Sequence, residues 1–403
     1  MDLAANPAGE EETGPLRLQF DRSVTLAFRG SSISSDGGLL LHRELDDVLG
    51  LTDLAASLIA DPRPGKNGKH RLAGLLRQLI FSRLAGYEDV NDADRLCRDP
   101  VMRQLVGGRA VKRGAASASA MGRFETAMLT RPENIAVLAD LPGRWIDAVH
   151  DRLAPKSITL DMDSSESPVH GDQEGSAWNG HFQSKCLHPL FVFNQFGDLE
   201  RCALRPGNVH SADGWEDVLK PVLSRYAAEA RPSITQRRFR ADAAFAIPAL
   251  FDLLEAEGWD YAIRIKGNKK LYDQIGWLTK RRPGRPPDHV VCHFTNFHYL
   301  AKSWSKPRRV VAKVELHPGE LFSRVGFIAT NRSLPNERVL AFYNARGTAE
   351  QHIKEGKHAL KWTRSPACAL RPMPPGCSSM RWPTTSPTSS ARWRRHRRSR
   401  RGR

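Results

Sequence analysis

Four polar residues near the end of the chain have a spacing that could carry chemistry. Residues 343–357 read YNARGTAEQHIKEGK and include Tyr343, Arg346, Glu350 and Lys357. At about 100° per residue, these side chains fall within roughly 60° of one helical face. That face would place a carboxylate beside two cations and a phenol. The alternative is an ordinary solvated helix face, and Gly347 favours a helix that begins only after it.

A neighbouring apolar stripe would attach this helix to a core. Ala349, Ile353 and Leu360 recur at helical spacing beside the polar face. A stripe of this kind typically packs against a sheet or another helix. We therefore expect Glu350 to be held at a fixed place, where other carboxylates could join it.

Two aspartates at predicted strand ends are the candidate partners of Glu350. SITLDMD (157–163) alternates apolar and polar residues and ends at Asp163, and RRFRADAAF (237–245) contains Asp242. Three carboxylates at such strand ends can hold two divalent cations about 3.5–4 Å apart for in-line phosphoryl transfer. Mg²⁺ suits these hard oxygen ligands, and Mn²⁺ would substitute. The alternative is that the aspartates only cap turns.

The remaining residues of the Tyr343 stretch fit a phosphate-binding role beside that site. If the phosphoryl transfer cuts DNA, Arg346 and Lys357 would hold phosphates near the bond that is cut. Tyr343 would stack or donate a hydrogen bond there.

The elements around these residues predict an α-helical region followed by a mixed α/β domain. Apolar residues recur at three-to-four spacing through residues 37–150, and residues 130–153 are typical of a helical pair. No strand pattern precedes about residue 157. Strands and helices then mix up to the Tyr343 stretch, with a β-rich insertion at about 275–335. We predict a flexible N-terminus (1–15), a helical DNA-binding domain (16–150), a catalytic domain (151–364) and a disordered basic tail (365–403).

Composition points to a polyanionic partner. The net charge of the 403 residues is +17, which favours nucleic acid. Residues 364–403 contribute eleven Arg and no acid, which leaves +6 on residues 1–363. The six Cys show no C-x-x-C pair, and no apolar run is long enough to span a membrane. These features predict a cytoplasmic protein in a reducing compartment.

Several motifs in order resemble those of a known enzyme family. The Tyr343 stretch matches the Tyr-Arg-Glu-Lys signature of DDE-type insertion-sequence transposases at every spacing. Five segments are similar to the insertion-sequence 1380 family in particular, namely residues 34–51, 86–100, 160–182, 240–246 and 343–364. The resemblance covers about residues 16–364.

The resemblance implies a fold, an activity and a set of catalytic residues. The fold would be α/β, with a ribonuclease-H-like core that carries a β-rich insertion and follows an α-helical N-terminal domain. The enzyme would be a bacterial, nucleoid-associated transposase that cuts DNA at its element's terminal inverted repeats and joins them to target DNA. The triad maps onto Asp163, Asp242 and Glu350, with Asp161 as the rival first aspartate. Two ends must be synapsed, so a homodimer is expected in the active complex.

Two departures from the family pattern affect the expected activity. The family has glycines around its second aspartate, whereas this chain has Ala241, Ala243 and Ala244. From Ser365 onward the sequence is rich in Pro, Ser and Arg without periodicity, which favours a frameshift near codon 365 over an evolved basic arm. The alternative function is therefore an impaired copy that only binds DNA.

Overall fold

The computed structural model describes residues 16–17, 25–26, 34–64, 68–87, 89–169, 173–280 and 288–358. The predicted flexible N-terminus (1–15), Leu360 of the apolar stripe and the predicted tail (365–403) lie outside these residues.

The helical pattern between residues 37 and 150 is present as a series of packed helices. They are α1 (Leu39–Leu49), α2 (Leu51–Leu58), α3 (Leu72–Leu84), α4 (Ala93–Leu96), α5 (Pro100–Val106), α6 (Ala110–Arg113), α7 (Ala118–Arg123) and α8 (Pro132–Arg152). A π-helix, Phe124–Leu129, follows α7. The buried side chains of α2, α3, α7 and this π-helix form one apolar cluster.

Two expectations for this region are wrong in detail. Residues 130–153 were expected to form a helical pair, but α8 is one helix of 21 residues that runs through Pro142. Its apolar face spans the full length, so packing outweighs the backbone donor that the proline lacks. Two strands also precede residue 157, β1 (Leu16–Arg17) and β2 (Thr25–Leu26), which are too short to show an alternating pattern.

The rest of the chain builds a large mixed sheet, as an α/β pattern requires. The strands are β3 (Ser157–Ser164), β4 (Ser167–Pro168), β5 (Ala177–Asn179), β6 (Ser184–Leu187), β7 (Leu190–Asn194), β8 (Leu199–Ala203), β9 (Gln236–Ala241), β10 (Asp260–Ile265), β11 (Val291–Tyr299), β12 (Arg308–Leu316) and β13 (Arg324–Thr330). The helices are α9 (Trp215–Arg225), α10 (Pro248–Ala256), α11 (Lys269–Ile275), α12 (Asn336–Asn344) and α13 (Gly347–His358).

Eight strands form the central sheet in the order β11-β12-β13-β10-β9-β3-β7-β8. Strands β3, β9 and β10 are parallel neighbours, and the others pair antiparallel. The predicted β-rich segment is β11–β13, which extends this same sheet beyond β10. The short strands β4, β6 and β5 make a separate three-stranded sheet.

Helices cover both faces of the central sheet, because its strands alternate two apolar sides. Ile158, Leu160 and Met162 face α9, α10 and α11 in the largest core cluster. On the opposite face, α12 packs on Ala262, Val311 and Ile328. That second face also carries Asp161 and Asp163, one residue out of step with the apolar set.

The Tyr343 stretch is divided between two helices. Helix α12 ends at Asn344 and α13 begins at Gly347, with Arg346 between them. Gly347 thus marks the start of the second helix, whereas a single helical face carrying all four polar residues is not formed. No helix in the described ranges is both long and apolar enough to cross a membrane.

Candidate active site

Two of the predicted site residues come from neighbouring parallel strands. Met162 of β3 is paired in register with Ala241 of β9, so Asp163 lies level with Asp242 one position further on. Residues in register on parallel strands point to the same face, and neighbouring strands lie about 4.8 Å apart. The sheet therefore places these two carboxylates side by side at the carboxyl ends of β3 and β9.

Each aspartate also makes a local backbone contact. Asp163 Oδ1 accepts a hydrogen bond from the Ser164 amide at 2.9 Å, and Asp242 Oδ1 accepts one from Ala244 at 2.9 Å. Asp242 thereby caps the short 3₁₀ helix Ala243–Phe245. Capping and a site role are compatible, because a carboxylate has further lone pairs to offer.

The alanines that stand where the family has glycines create no backbone strain. Among the described non-glycine residues, Gln183 alone has a positive φ. Asp242 itself has a φ of −78°, which any residue adopts. Glycine is therefore not required by the observed turn.

The third carboxylate arrives from the helix that covers this face. Ala349 and Ile353 are buried against Phe191 and Phe193 of β7, as the apolar stripe predicts. This contact holds α13 across the strand beside β3. Glu350, in the first turn of α13, is exposed on the side that faces the aspartates.

Arg346 links the carboxylates. Its Nη2 lies 2.7 Å from Asp163 Oδ1, and its Nη1 lies 3.2 Å from Glu350 Oε1. The side chain is 9% exposed. Burial acts to lower its pKa, but Asp163, Tyr343, Asp242 and Glu350 together hold that pKa above its ordinary value. A buried guanidinium thus pairs with two carboxylates, and the charge of the third acts on it.

Asp163 has a raised pKa. Burial raises the pKa of its carboxyl to about 6, and the negative charges of Asp242 and Glu350 act in the same direction. Arg346 opposes this rise. The site therefore carries more negative charge than its one guanidinium balances, and such an excess favours a bound cation.

Asp161, the rival of Asp163, has a different environment. Its Oδ1 and Oδ2 accept hydrogen bonds from Arg240 Nε and Nη2, both at 2.6 Å, and its side chain is 1% exposed. Arg240 Nη1 also donates to the Phe342 carbonyl at 2.8 Å. With both oxygens bonded to Arg240, Asp161 connects the sheet to α12, whereas Asp163 pairs with Arg346.

The other predicted DNA-binding residues lie on either side of this group. Tyr343 is half-buried, and burial raises its pKa, which is also influenced by Arg346 and Arg264. Lys357 lies about three helical turns from Arg346, beside Glu166 and Cys186. Burial lowers the pKa of Lys357. The contacts of Tyr343, Arg346 and Lys357 with phosphates remain predictions.

The donor set fits a divalent cation, although its members are not closed around a common point. Among the described residues, no three His, Cys, Asp or Glu side chains converge tightly enough to hold a metal ion. Arg346 lies between Asp163 and Glu350 and keeps their oxygens apart. The oxygens of Asp163, Asp242 and Glu350 are hard ligands of the kind that divalent cations prefer.

Sequence reasoning missed Arg240 and Arg264 as neighbours of the site. Arg240 lies two residues before Asp242, and the alternation of a strand puts both on one face. Arg264 of β10 falls level with Asp242, because Ile263 pairs with Ala241. The first signal was present in the sequence, whereas the second needed the strand register.

Comparison with known proteins assigns the chain to a family. A sequence model described as "Transposase DDE domain group 1" matches residues 16–371, which is most of the chain. The match contains all three carboxylates, both predicted cations and the tyrosine. No curated protein is similar enough to the chain to be matched.

Proposed function

Because the chain belongs to the transposase DDE domain family, we propose that it cuts DNA at the ends of its own insertion sequence and joins them to target DNA. The observation that carries this proposal is that Asp163 and Asp242 lie level on neighbouring strands, while Asp163 and Glu350 both pair with Arg346. Within the family, the spacing of Tyr343, Arg346, Glu350 and Lys357 favours the Tyr-Arg-Glu-Lys group and the insertion-sequence 1380 branch. The mixed sheet with helices on both faces is consistent with a ribonuclease-H-like core.

The proposed reaction assigns a separate task to each element. Strands β3 and β9 fix Asp163 and Asp242 at one sheet edge, and α13 brings Glu350 to them. A bound pair of Mg²⁺ ions, which Mn²⁺ would replace, would activate the attacking oxygen and stabilise the leaving oxygen of the phosphoryl transfer. Burial of Asp163 excludes water from one side of the site and strengthens its interactions with charge.

Arg346 has two successive roles in this proposal. Without DNA it neutralises part of the carboxylate charge, as the structure shows it doing. With DNA and cations bound, the carboxylates would pair with the cations and release Arg346. Its guanidinium would then turn to the phosphate next to the cut. Lys357 would hold the backbone on the other side, and Tyr343 would donate a hydrogen bond or stack.

The second candidate function is an impaired copy that binds DNA without cutting it. The Pro-, Ser- and Arg-rich sequence from Ser365 onward favours this alternative, because it lacks the apolar periodicity of a helix that packs on a core. The protein would then occupy the element's ends and repress its relatives.

Excision of a marked mini-element in cells tests these alternatives. The mini-element carries the gene's own flanking DNA. The first two proteins tested are this chain and its Asp242→Ala variant. A third protein has the reading frame restored after codon 364. Excision by this chain, lost in Asp242→Ala, supports an active transposase. Excision by the restored protein alone supports the impaired copy, and no excision by any of the three proteins contradicts an active transposase.

The active complex is proposed to be a homodimer on DNA. Two element ends must be brought together before joining, and one chain offers one set of carboxylates. Light scattering of the protein, with and without DNA from the ends of its element, tests this. A complex in which a single chain holds two element ends would contradict it.

A further inference from the structure

Next to the carboxylates, the third parallel strand ends in an exposed basic segment. Arg264 of β10 lies level with Asp163 and Asp242 and points to the same face of the sheet. Its charge acts on Tyr343, which also feels Asp163 and Asp242. Arg264 therefore faces the region where the carboxylates meet, although it is exposed rather than buried.

The loop that follows Arg264 continues the positive charge along the same edge. Lys266, Lys269 and Lys270 are exposed, and between residues 264 and 280 the single acid is Asp273. In the described part of the chain, no carboxylate forms an ion pair with Arg264 or these lysines. By contrast, Arg240 and Arg346 on the same face are both paired.

The backbone of this loop is fixed by its own contacts. Asn268 accepts a hydrogen bond from the Leu271 amide at 3.1 Å and donates one to the Tyr299 hydroxyl at 3.1 Å. The Tyr272 ring lies against Gly267 so closely that an added Cβ would be 2.8 Å from it. The lysines are therefore presented from a shaped loop whose unpaired charge is costly to gather without a partner.

We propose that Arg264, Lys266, Lys269 and Lys270 form a phosphate-binding surface for duplex DNA, on the β10 side of the carboxylates. This surface, termed the β10 basic edge, follows the backbone of the DNA flanking the cut, where its charges gain from counterion release. The assignment rests on the proposed function. It adds a DNA contact that the Tyr343 stretch does not contain.

Salt-dependent binding of duplex DNA tests the proposal. The probe is a duplex from the gene's own flanking DNA, in EDTA, with NaCl varied from about 50 to 200 mM. The test protein is Lys266→Ala/Lys269→Ala/Lys270→Ala. Its matched control is Lys156→Ala/Lys220→Ala/Lys302→Ala, which removes three other exposed lysines, one before β3, one in α9 and one between β11 and β12.

The two triple variants should behave differently. For the test protein, we expect the slope of log affinity against log salt to become shallower by about 2.7, with affinity about tenfold lower or more. The control should keep the slope and affinity of the unmodified protein. Arg264→Ala should lose a slope of about 0.9, and Arg264→Lys should keep it. Thermal unfolding should be unchanged in both triple variants, since all six lysines are exposed.

The outcomes separate this proposal from the function on which it rests. If the unmodified protein does not bind the duplex at all, the proposed function fails and the β10 basic edge fails with it. If it binds and cuts, but the two triple variants share one slope, only the β10 basic edge is overturned. If the test protein loses binding to an RNA duplex but keeps its binding to the DNA duplex, the β10 basic edge is also overturned.

Discussion

At the scale of single residues, the site combines a stabilising cation with a destabilising carboxylate. Asp163 is buried, and its folded pKa of about 6 lies above the ordinary value of 3.8. The folded state therefore binds more protons than the unfolded state between about pH 4 and 6. Stability contributed by the protonated form is lost as the pH rises through this window. At neutral pH Asp163 is ionised, and burial of that charge lowers the free energy of unfolding. The ionised form is the one that the proposed function needs.

Replacing Asp163 should accordingly stabilise the metal-free protein. We expect Asp163→Asn to raise the free energy of unfolding by about 2 kcal/mol at pH 7.5, with little change near pH 4, because Arg346 keeps its ion pair with Glu350. Urea denaturation at the two pH values measures this. The same variant should abolish metal-dependent cutting while it still binds DNA. A variant that is less stable than the parent at pH 7.5 would contradict the assigned cost of burial.

Binding of a divalent cation should depend on the same group. Below pH 6, Asp163 becomes protonated and ceases to be a good ligand, so affinity should fall by about tenfold per pH unit. Titration with Ca²⁺, followed by calorimetry between pH 5 and 7.5, measures the dependence without any turnover. The Asp163→Asn variant is the control and should show weak, pH-independent binding. A flat profile for the unmodified protein would exclude Asp163 as a ligand.

Asp161 should matter for folding rather than for chemistry. Asp161→Asn leaves the buried Arg240 guanidinium without its charged partner, which should cost about 3–5 kcal/mol. The pair replacement Asp161→Leu/Arg240→Met should recover most of this loss, because it buries no charge. Urea denaturation of both variants measures the difference. If Asp161→Asn kept full stability and lost cation binding, Asp161 would replace Asp163 in the site.

At the scale of elements, charged contacts attach the long helix α8 to the sheet and to α9. Arg225 of α9 pairs with Asp147 of α8 at 3.0 Å and with Glu200 of β8 at 2.8 Å. Glu200 is fully buried and also accepts from Tyr226 at 2.6 Å. This network lines a cavity of about 270 Å³ between α8, β8 and α9. It joins the helical region to the half of the sheet that carries the site.

Gly143 makes this attachment possible. An added Cβ at Gly143 would clash with the Arg225 guanidinium, and Arg225 is held by both of its acids. We expect Gly143→Ala to lower the free energy of unfolding by about 1–2 kcal/mol, even though Ala is the better helix former. Thermal unfolding measures it. Gly122→Ala in α7, where the nearest atom is 3.9 Å away, is the control and should be neutral or stabilising.

At the scale of the whole molecule, positive charge is divided between the folded body and its C-terminal segment. The family match ends at residue 371, and residues 372–403 hold nine further Arg and no acid. Ending the chain after residue 371 should weaken binding to unrelated duplex DNA and flatten its salt dependence, since fewer phosphates are neutralised. Fluorescence anisotropy at two salt concentrations measures this.

The same truncation separates the two origins considered for the segment. An evolved arm predicts that excision falls together with DNA affinity. A frameshift predicts that excision is unchanged by the truncation and improved when the frame is restored after codon 364. A gene with no amphipathic helical continuation in its other frames would contradict the frameshift.

Local patterns in the sequence predicted particular elements correctly, whereas the roles of the candidate residues stay predictions. Alternation in SITLDMD gave β3, with Asp161 and Asp163 on one face, and the stripe of Ala349 and Ile353 gave the docked side of α13. These features are set by spacing along the chain, so no distant residue is needed to read them. The same holds for Gly347, which marks where α13 begins.

Only the tertiary structure decided how those residues are paired. Asp161 and Asp163 are equivalent in pattern, and the difference between them comes from Arg240, a residue 79 positions away that takes both oxygens of Asp161. The role of Arg346 as a bridge, and the level position of Arg264, follow from strand register and from the break between α12 and α13. Burial and long-range pairing set these charges, and neither is a property of spacing along the chain.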